Sequence, residues 1–271
     1  MTLGQAQLDF FDAFGYLLVR HLFSPEETEK IIEGFEWSIQ NCGNGKNHDG
    51  TSRTMFGGPI EHTPEMCAIL DHPSILGLIG GVLGEDFNYT GGDGNYYSGD
   101  TGWHPDGNWG QLFAAKIAFY LDPLTRGTGA LRLIPGSHRP DHFVRQEKID
   151  VNNSLELFGI PPTEFPGSIT VETNPGDVVI FNHDLYHASF GGGSRRRMFT
   201  MNCTRRAKTP EDLELVHRYL SIHSPSKKAS DLKTDALKTD AWRLMIDTAD
   251  ENRMVHLHQW IEEVRVFRSS L

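Results

Sequence analysis

The residues whose types and spacing best suit chemistry lie in Gly102-Trp103-His104-Pro105-Asp106-Gly107. His104 and Asp106 are two apart, so on an extended strand end both side chains point to one side. An imidazole converging with a carboxylate suits a divalent first-row metal. Two ligands do not hold a catalytic metal, so a third is needed from elsewhere. The candidate is His187, at the end of Gly176-Asp177-Val178-Val179-Ile180-Phe181-Asn182-His183-Asp184-Leu185-Tyr186-His187. His183 shares its strand parity, and spacing alone leaves the two open. Two histidines and one carboxylate on one face of a metal form a facial triad, the arrangement of non-haem Fe(II) oxygenases, with coordination positions left free for substrates. The bland alternative is a turn in which Asp106 caps local amides.

Bringing such residues together needs strands that fold back on themselves. Short strands are expected at 16–20, 87–90, 95–98, 113–121, 130–134, 168–172, 177–181, 185–189 and 196–204, separated by Gly- and Pro-rich turns. That pattern indicates a sandwich or barrel. Helices flank it. Gln5 to Ala13 has helical spacing, Ser24-Pro25-Glu26-Glu27 is a capping-box start for a helix to about Gln40, and 64–83 is mostly helical. Two stretches, Asn41–Gly58 and Arg139–Pro166, are expected as loops, the longer one as a lid or binding loop. Thr209 to Leu271 is helical again. Its small echo, Leu232-Lys233-Thr234-Asp235-Ala236 followed by Leu237-Lys238-Thr239-Asp240-Ala241, is too short for a solenoid and reads as one helix with a polar face.

Composition bounds the function. At 271 residues the chain fits one domain with appendages: a core about 8–205 and a helical extension about 208–271. The formal charge of −11 argues against nucleic acid as the main partner. No apolar run approaches a membrane span, and the N-terminus lacks a secretory pattern. Three widely spaced cysteines (Cys42, Cys67, Cys203) read as reduced thiols of a cytoplasmic protein.

A resemblance enters on three segments: Gly102 to Asp106; Gly127-Thr128-Gly129-Ala130-Leu131-Arg132-Leu133-Ile134-Pro135-Gly136-Ser137-His138-Arg139; and Gly176 to Phe181 with His187 and Arg196. Over about residues 8 to 205 the chain resembles the phytanoyl-CoA dioxygenase family of Fe(II)/2-oxoglutarate oxygenases. The resemblance implies an α+β fold with a double-stranded β-helix (jelly roll, cupin-like) core. It also implies iron, 2-oxoglutarate and O2, and places His187 rather than His183 as the distal ligand. The far carboxylate of 2-oxoglutarate calls for an arginine, which is always charged and bidentate. The family pattern maps onto Arg196-Arg197-Met198-Phe199-Thr200, which selects Arg196 with Thr200 as hydroxyl partner; a register error of one would select Arg197. Halogenating relatives have a small residue where this sequence keeps Asp106, so hydroxylation, or a desaturating or ring-forming variant, is implied.

Other candidates are less specific. Lys116 lies in an apolar strand and is assigned to a carboxylate of co-substrate or substrate, with a wet strand face as the alternative. Asn95 and Tyr97 share inward parity ahead of the metal stretch. Trp103, Trp109 and Phe113 either wall the pocket or pack in the core. The substrate is expected to be a small molecule, a natural-product intermediate among the candidates, and the C-terminal helices permit a homodimer. Two other readings compete: a cupin-like metal enzyme that does not use 2-oxoglutarate, and a non-catalytic jelly-roll ligand-binding protein.

Overall fold

The computed structural model describes residues 1–223 and 240–269. Three elements open the chain: α1 (Gln5–Phe14), β1 (Tyr16–Val19) and α2 (Pro25–Asn41). Gly15, at φ 82°, ends α1 in the left-handed conformation that glycine adopts without strain. The capping box forms as the sequence predicts: the Glu27 amide donates to Ser24 Oγ at 3.3 Å, and the Ser24 amide donates to the Glu27 carboxylate at 2.8 Å. Next come β2 (Thr54–Gly57), α3 (Pro64–Cys67) and α4 (Pro73–Leu83). The helical stretch expected over 64–83 is therefore broken. Pro73 sits at the start of α4, where its missing N–H is tolerated.

Then follow β3 (Asn88–Gly91), β4 (Asp93–Tyr97), β5 (Thr101–His104), β6 (Ala114–Tyr120), β7 (Leu131–Leu133), α5 (Phe143–Gln146), α6 (Ser154–Phe158), β8 (Ile169–Val171), β9 (Val178–Asn182), β10 (His187–Ser189) and β11 (Arg196–Thr204). Helices α7 (Pro210–His223), α8 (Asp240–Asp247) and α9 (Glu251–Ser269) complete the described chain. The internal echo falls, but for its last two positions, outside the described residues.

All strand pairings are antiparallel, in two sheets that make a double-stranded β-helix with flanking helices. The larger runs β1-β9-β6-β11-β4-β2, with β3 also on β11; the smaller runs β5-β10-β7-β8. β2 corrects the loop expected over 41–58: it pairs with β4 as the edge of the large sheet, a long-range pairing that its Gly-rich surroundings hide.

The apolar alternation sorts residues to three places. Phe35, Phe119 and Phe199 belong to the main core between the large sheet and the helices, where the last two rings stack at 4.4 Å. Ala118, Tyr120, Leu131, Phe181 and Met198 come from both sheets and fill the roll. Trp103, Val144, Phe165 and Phe190 form a satellite cluster under the segment that follows β7.

Candidate metal centre and co-substrate pocket

The smaller sheet builds the centre. His187 on β10 is the register partner of His104 on β5. Just past β5, the amides of Asp106 and Gly107 both donate to the carbonyl of His183, at 2.8 and 3.0 Å. This tie folds the loop back over β10 and brings Asp106 Oδ2 to 3.5 Å from His187 Nε2. One ligand atom from each of His104, Asp106 and His187 lies within 4.8 Å of the others.

Second contacts set the tautomers. His104 Nδ1 lies 2.8 Å from the Gly102 carbonyl and His187 Nδ1 lies 3.0 Å from that of Leu185. A carbonyl only accepts, so each Nδ1 carries the hydrogen and each Nε2 keeps its lone pair, as a metal ligand requires. Burial, against the pull of Asp106, pushes the His187 imidazole down to about 4, so it is neutral at physiological pH. Two imidazoles that present Nε2 and a carboxylate fit Fe(II). His183 stands apart: it is fully buried, its Nε2 meets Asn202 Oδ1 at 3.3 Å, and it contributes to the centre through its carbonyl.

Lys116 projects from β6 into the same cavity, and its Nζ is 2.7 Å from Asp106 Oδ2, both side chains being 15% exposed. Burial works against the ammonium, but Asp106 and Asp93 outweigh it and hold the group above its ordinary range. Burial likewise disfavours the Asp106 carboxylate, and Lys116 with the imidazoles outweighs that and holds its pKa far down. The partner of Lys116 is thus a carboxylate of the protein itself.

Arg196 lies across the cavity. It is 5% exposed, meets no carboxylate among the described residues, and leaves Nε and Nη1 without hydrogen-bond partners. A guanidinium buried in that state fits a carboxylate ligand. Its space is kept by two glycines: a Cβ on Gly129, which has φ +89°, would fall 1.7 Å from Arg196 Nη1, and one on Gly192 would fall 2.2 Å from it. The flanking arginines face outward. Arg195 pairs with Glu36, and Arg197 pairs with Asp122 and Glu36. Strand parity therefore separates Arg196 from both neighbours.

The remaining candidates divide. Tyr97 lines the cavity, with the Arg53 and Arg196 guanidiniums 4.4 and 5.1 Å from its ring centroid. Thr200, four residues along β11 from Arg196, lines it too, but its hydroxyl donates to Asp93 Oδ1 of β4 at 2.9 Å. Asn95 is fully buried and supports the wall: its Oδ1 accepts from Arg53 Nε at 2.6 Å and its Nδ2 donates to Asp93 at 2.5 Å. Trp103 does not wall the pocket. Alternation turns it to the opposite face from His104, into the satellite cluster, where its indole donates to the Pro162 carbonyl at 2.9 Å. Trp109 and Phe113 pack with Tyr219 of α7 in the main core.

Sequence reasoning missed four residues. Asp93 gathers Arg53, Asn95 and Thr200; it has the parity of Asn95 and Tyr97, a signal obscured by the glycines around it. Arg53 lies in the stretch expected as loop. Asp184 accepts the amides of Trp109 and Gly110, at 2.7 to 2.9 Å, and so braces the loop that follows His104 and Asp106. His223 enters the cavity from α7, a contact with no local sequence signal.

Fold and centre together are those of the Fe(II)- and 2-oxoglutarate-dependent oxygenases. The phytanoyl-CoA dioxygenase family model matches residues 11–198, and the chain belongs to that family. It is accordingly an Fe(II)/2-oxoglutarate dioxygenase, with O2 as the further co-substrate. No curated protein matches the sequence. Among solved structures, HygX from Streptomyces hygroscopicus with nickel and 2-oxoglutarate bound is 16% identical with a TM-score of 0.59, covering 78% of this chain and 94% of that one. EctD from S. alaskensis with 2-oxoglutarate and 5-hydroxyectoine is 18% identical with a TM-score of 0.57, covering 75% and 76%. SnoK, a non-haem α-ketoglutarate-dependent carbocyclase from nogalamycin biosynthesis, is 18% identical with a TM-score of 0.57, covering 75% and 84%. At these identities the likeness is one of fold. No described helix is long and apolar enough to cross a membrane.

Proposed function

We propose that His104, Asp106 and His187 hold the iron, that Arg196 anchors the distal carboxylate of 2-oxoglutarate, and that the enzyme hydroxylates or otherwise oxidises an unactivated C–H bond of a small-molecule metabolite. The observation that carries this reading is the convergence of two imidazoles and a carboxylate in a cavity that Arg196 also lines, with no carboxylate partner among the described residues. The metal, when bound, supplies oxygen activation coupled to decarboxylation of 2-oxoglutarate to succinate and CO2.

The chain's own residues do the rest. The Gly102 and Leu185 carbonyls fix the two imidazoles in the ligating tautomer. The His183 carbonyl aims Asp106. Arg196, kept free by Gly129 and Gly192, takes the far carboxylate with Tyr97 beside it. The apolar inner wall of Ala118, Leu131, Phe181 and Met198 limits water around the reacting atoms. Asp106 favours oxygen insertion over halogenation, and the likeness to the carbocyclase SnoK supports keeping ring formation among the outcomes. The main core runs from Leu3 to Val264, which supports reading the chain as one domain that includes its C-terminal helices.

The test is succinate release with Fe(II), 2-oxoglutarate and ascorbate, comparing wild type with Arg196→Ala. Uncoupled or substrate-driven succinate from wild type, depressed in the variant, is expected. None from wild type would favour a cupin-like enzyme that does not use 2-oxoglutarate, or a ligand-binding jelly roll.

A further inference from the structure

We propose that Lys116 is the anchor for an anionic group of the prime substrate, and that this substrate is a small organic monocarboxylate. The inference rests on the assignment of His104, Asp106 and His187 to the metal and of Arg196 to 2-oxoglutarate.

The cavity, of about 290 Å³, carries cations at both ends. Lys116 faces Asn202 across the β6–β11 ladder, six residues along β11 from Arg196, roughly 20 Å of extended strand. Lys116 touches the triad through Asp106, so a keto diacid chelated there and reaching toward Arg196 runs away from Lys116 and leaves its side of the cavity to a second molecule. Besides Asp106, the nearby Asp93 acts on that end. His183 and His223 line it as well, and an imidazole carries no negative charge. The nearby carboxylate of Asp93 is engaged by Arg53, Asn95 and Thr200.

That leaves Asp106 as the only ion-pair partner of Lys116 among the described residues, and in the loaded site Asp106 is shared with a dication. The charges then do not balance. The dication, the Asp106 carboxylate and the two carboxylates of 2-oxoglutarate leave one negative charge. Arg196 and Lys116 bring two positive ones, and the Arg53–Asp93 pair is neutral. One positive charge stays unmatched in a site where uncompensated charge is costly. An ammonium is a compact, strongly hydrated point charge, so a substrate with one carboxylate at this end relieves the cost and a neutral one does not. Asn202 and His223 supply polar contacts beside it, the latter from α7, which lies beyond the segment that the family model matches.

The experiment uses the full chain loaded with Ni(II) and 2-oxoglutarate, and a set of monocarboxylic metabolites each paired with its carboxamide, read by thermal shift and then calorimetry. Acids are expected to stabilise the loaded protein and their amides not. The tightest acid should lose at least about tenfold in affinity in Lys116→Met and Lys116→Gln and keep most of it in Lys116→Arg, each compared with its carboxamide on the same loaded variant. Amides binding as well as acids, no acid shifting the loaded protein, or undiminished affinity in Lys116→Met and Lys116→Gln would each overturn the proposal. Absence of any Ni(II)- and 2-oxoglutarate-dependent shift in wild type would instead sink the metal and co-substrate assignment, and this inference with it.

Discussion

His104 and His187 face each other directly across the β5–β10 ladder, their ring centroids 4.3 Å apart. A cross-strand pair is one of the most rigidly set distances in a protein. The two imidazoles are held by strand register and by backbone carbonyls, with Asp106 supplied from a loop tied to the same strand region. A centre built on strands in this way is pre-formed for a metal.

Removing a ligand should show which histidine matters. His187→Ala is expected to lower Ni(II) or Co(II) affinity by more than the roughly 10- to 100-fold typical of losing an outer partner. His183→Asn, which keeps the backbone carbonyl that Asp106 uses, should retain metal binding. Calorimetric titration of both variants decides; equal loss would return His183 to the centre.

Arg196 and Arg197 should separate cleanly. Truncating one partner of a buried charge pair costs about 2–5 kcal/mol, so Arg196→Met should raise the KM for 2-oxoglutarate roughly 30-fold or more. Arg197→Met loses its ion pairs with Asp122 and Glu36 on the outer face and should leave that KM nearly unchanged. Initial rates of succinate formation against 2-oxoglutarate concentration measure both.

Gly129→Ala is expected to act on the same anchor from outside it. The new methyl would fall 1.7 Å from Arg196 Nη1, and the residue would be held at a left-handed φ, which costs about 1–2 kcal/mol. A raised KM for 2-oxoglutarate with a modest fall in melting temperature follows; an unchanged KM would show that Arg196 does not depend on this space.

Asp106→Ala should abolish substrate oxidation and also destabilise the metal-free protein. It strands the buried Lys116 ammonium, and breaking a buried pair on one side costs about 3–5 kcal/mol. Asp106→Ala/Lys116→Met should recover much of that stability without recovering activity. Urea unfolding of the two single variants and the double one tests the coupling.

Acid should weaken the metal-free fold before ordinary carboxylates titrate. The imidazoles of His187 and His183 are held at about 4 and about 3, below their ordinary 6.5. Below pH 6.5 the unfolded chain takes up protons that the folded chain refuses, so stability falls as pH drops from about 6.5 toward 4. Melting temperature against pH should show this slope, shallower in His183→Asn; a flat profile over that window would mean these rings protonate in place.

Local chemistry made much of this legible in sequence. The His-x-Asp pair, the Ser24 capping box and the parity of Arg196 are short-range features, governed by strand and helix periods that a sequence displays. What only the tertiary structure decided depends on pairing across long separations. Spacing could not choose between His187 and His183; the β5–β10 register brings one to His104 and leaves the other to offer a carbonyl. Periodicity marked Lys116 as an unusual charge but not its partner, which comes from a loop on the other sheet. Nothing local marks Arg53 or His223 as cavity residues, because one arrives just ahead of an edge strand hidden among glycines and the other on a helix whose apolar face packs elsewhere. Side-chain direction is written in the chain, whereas which directions converge is set by how two sheets close on each other.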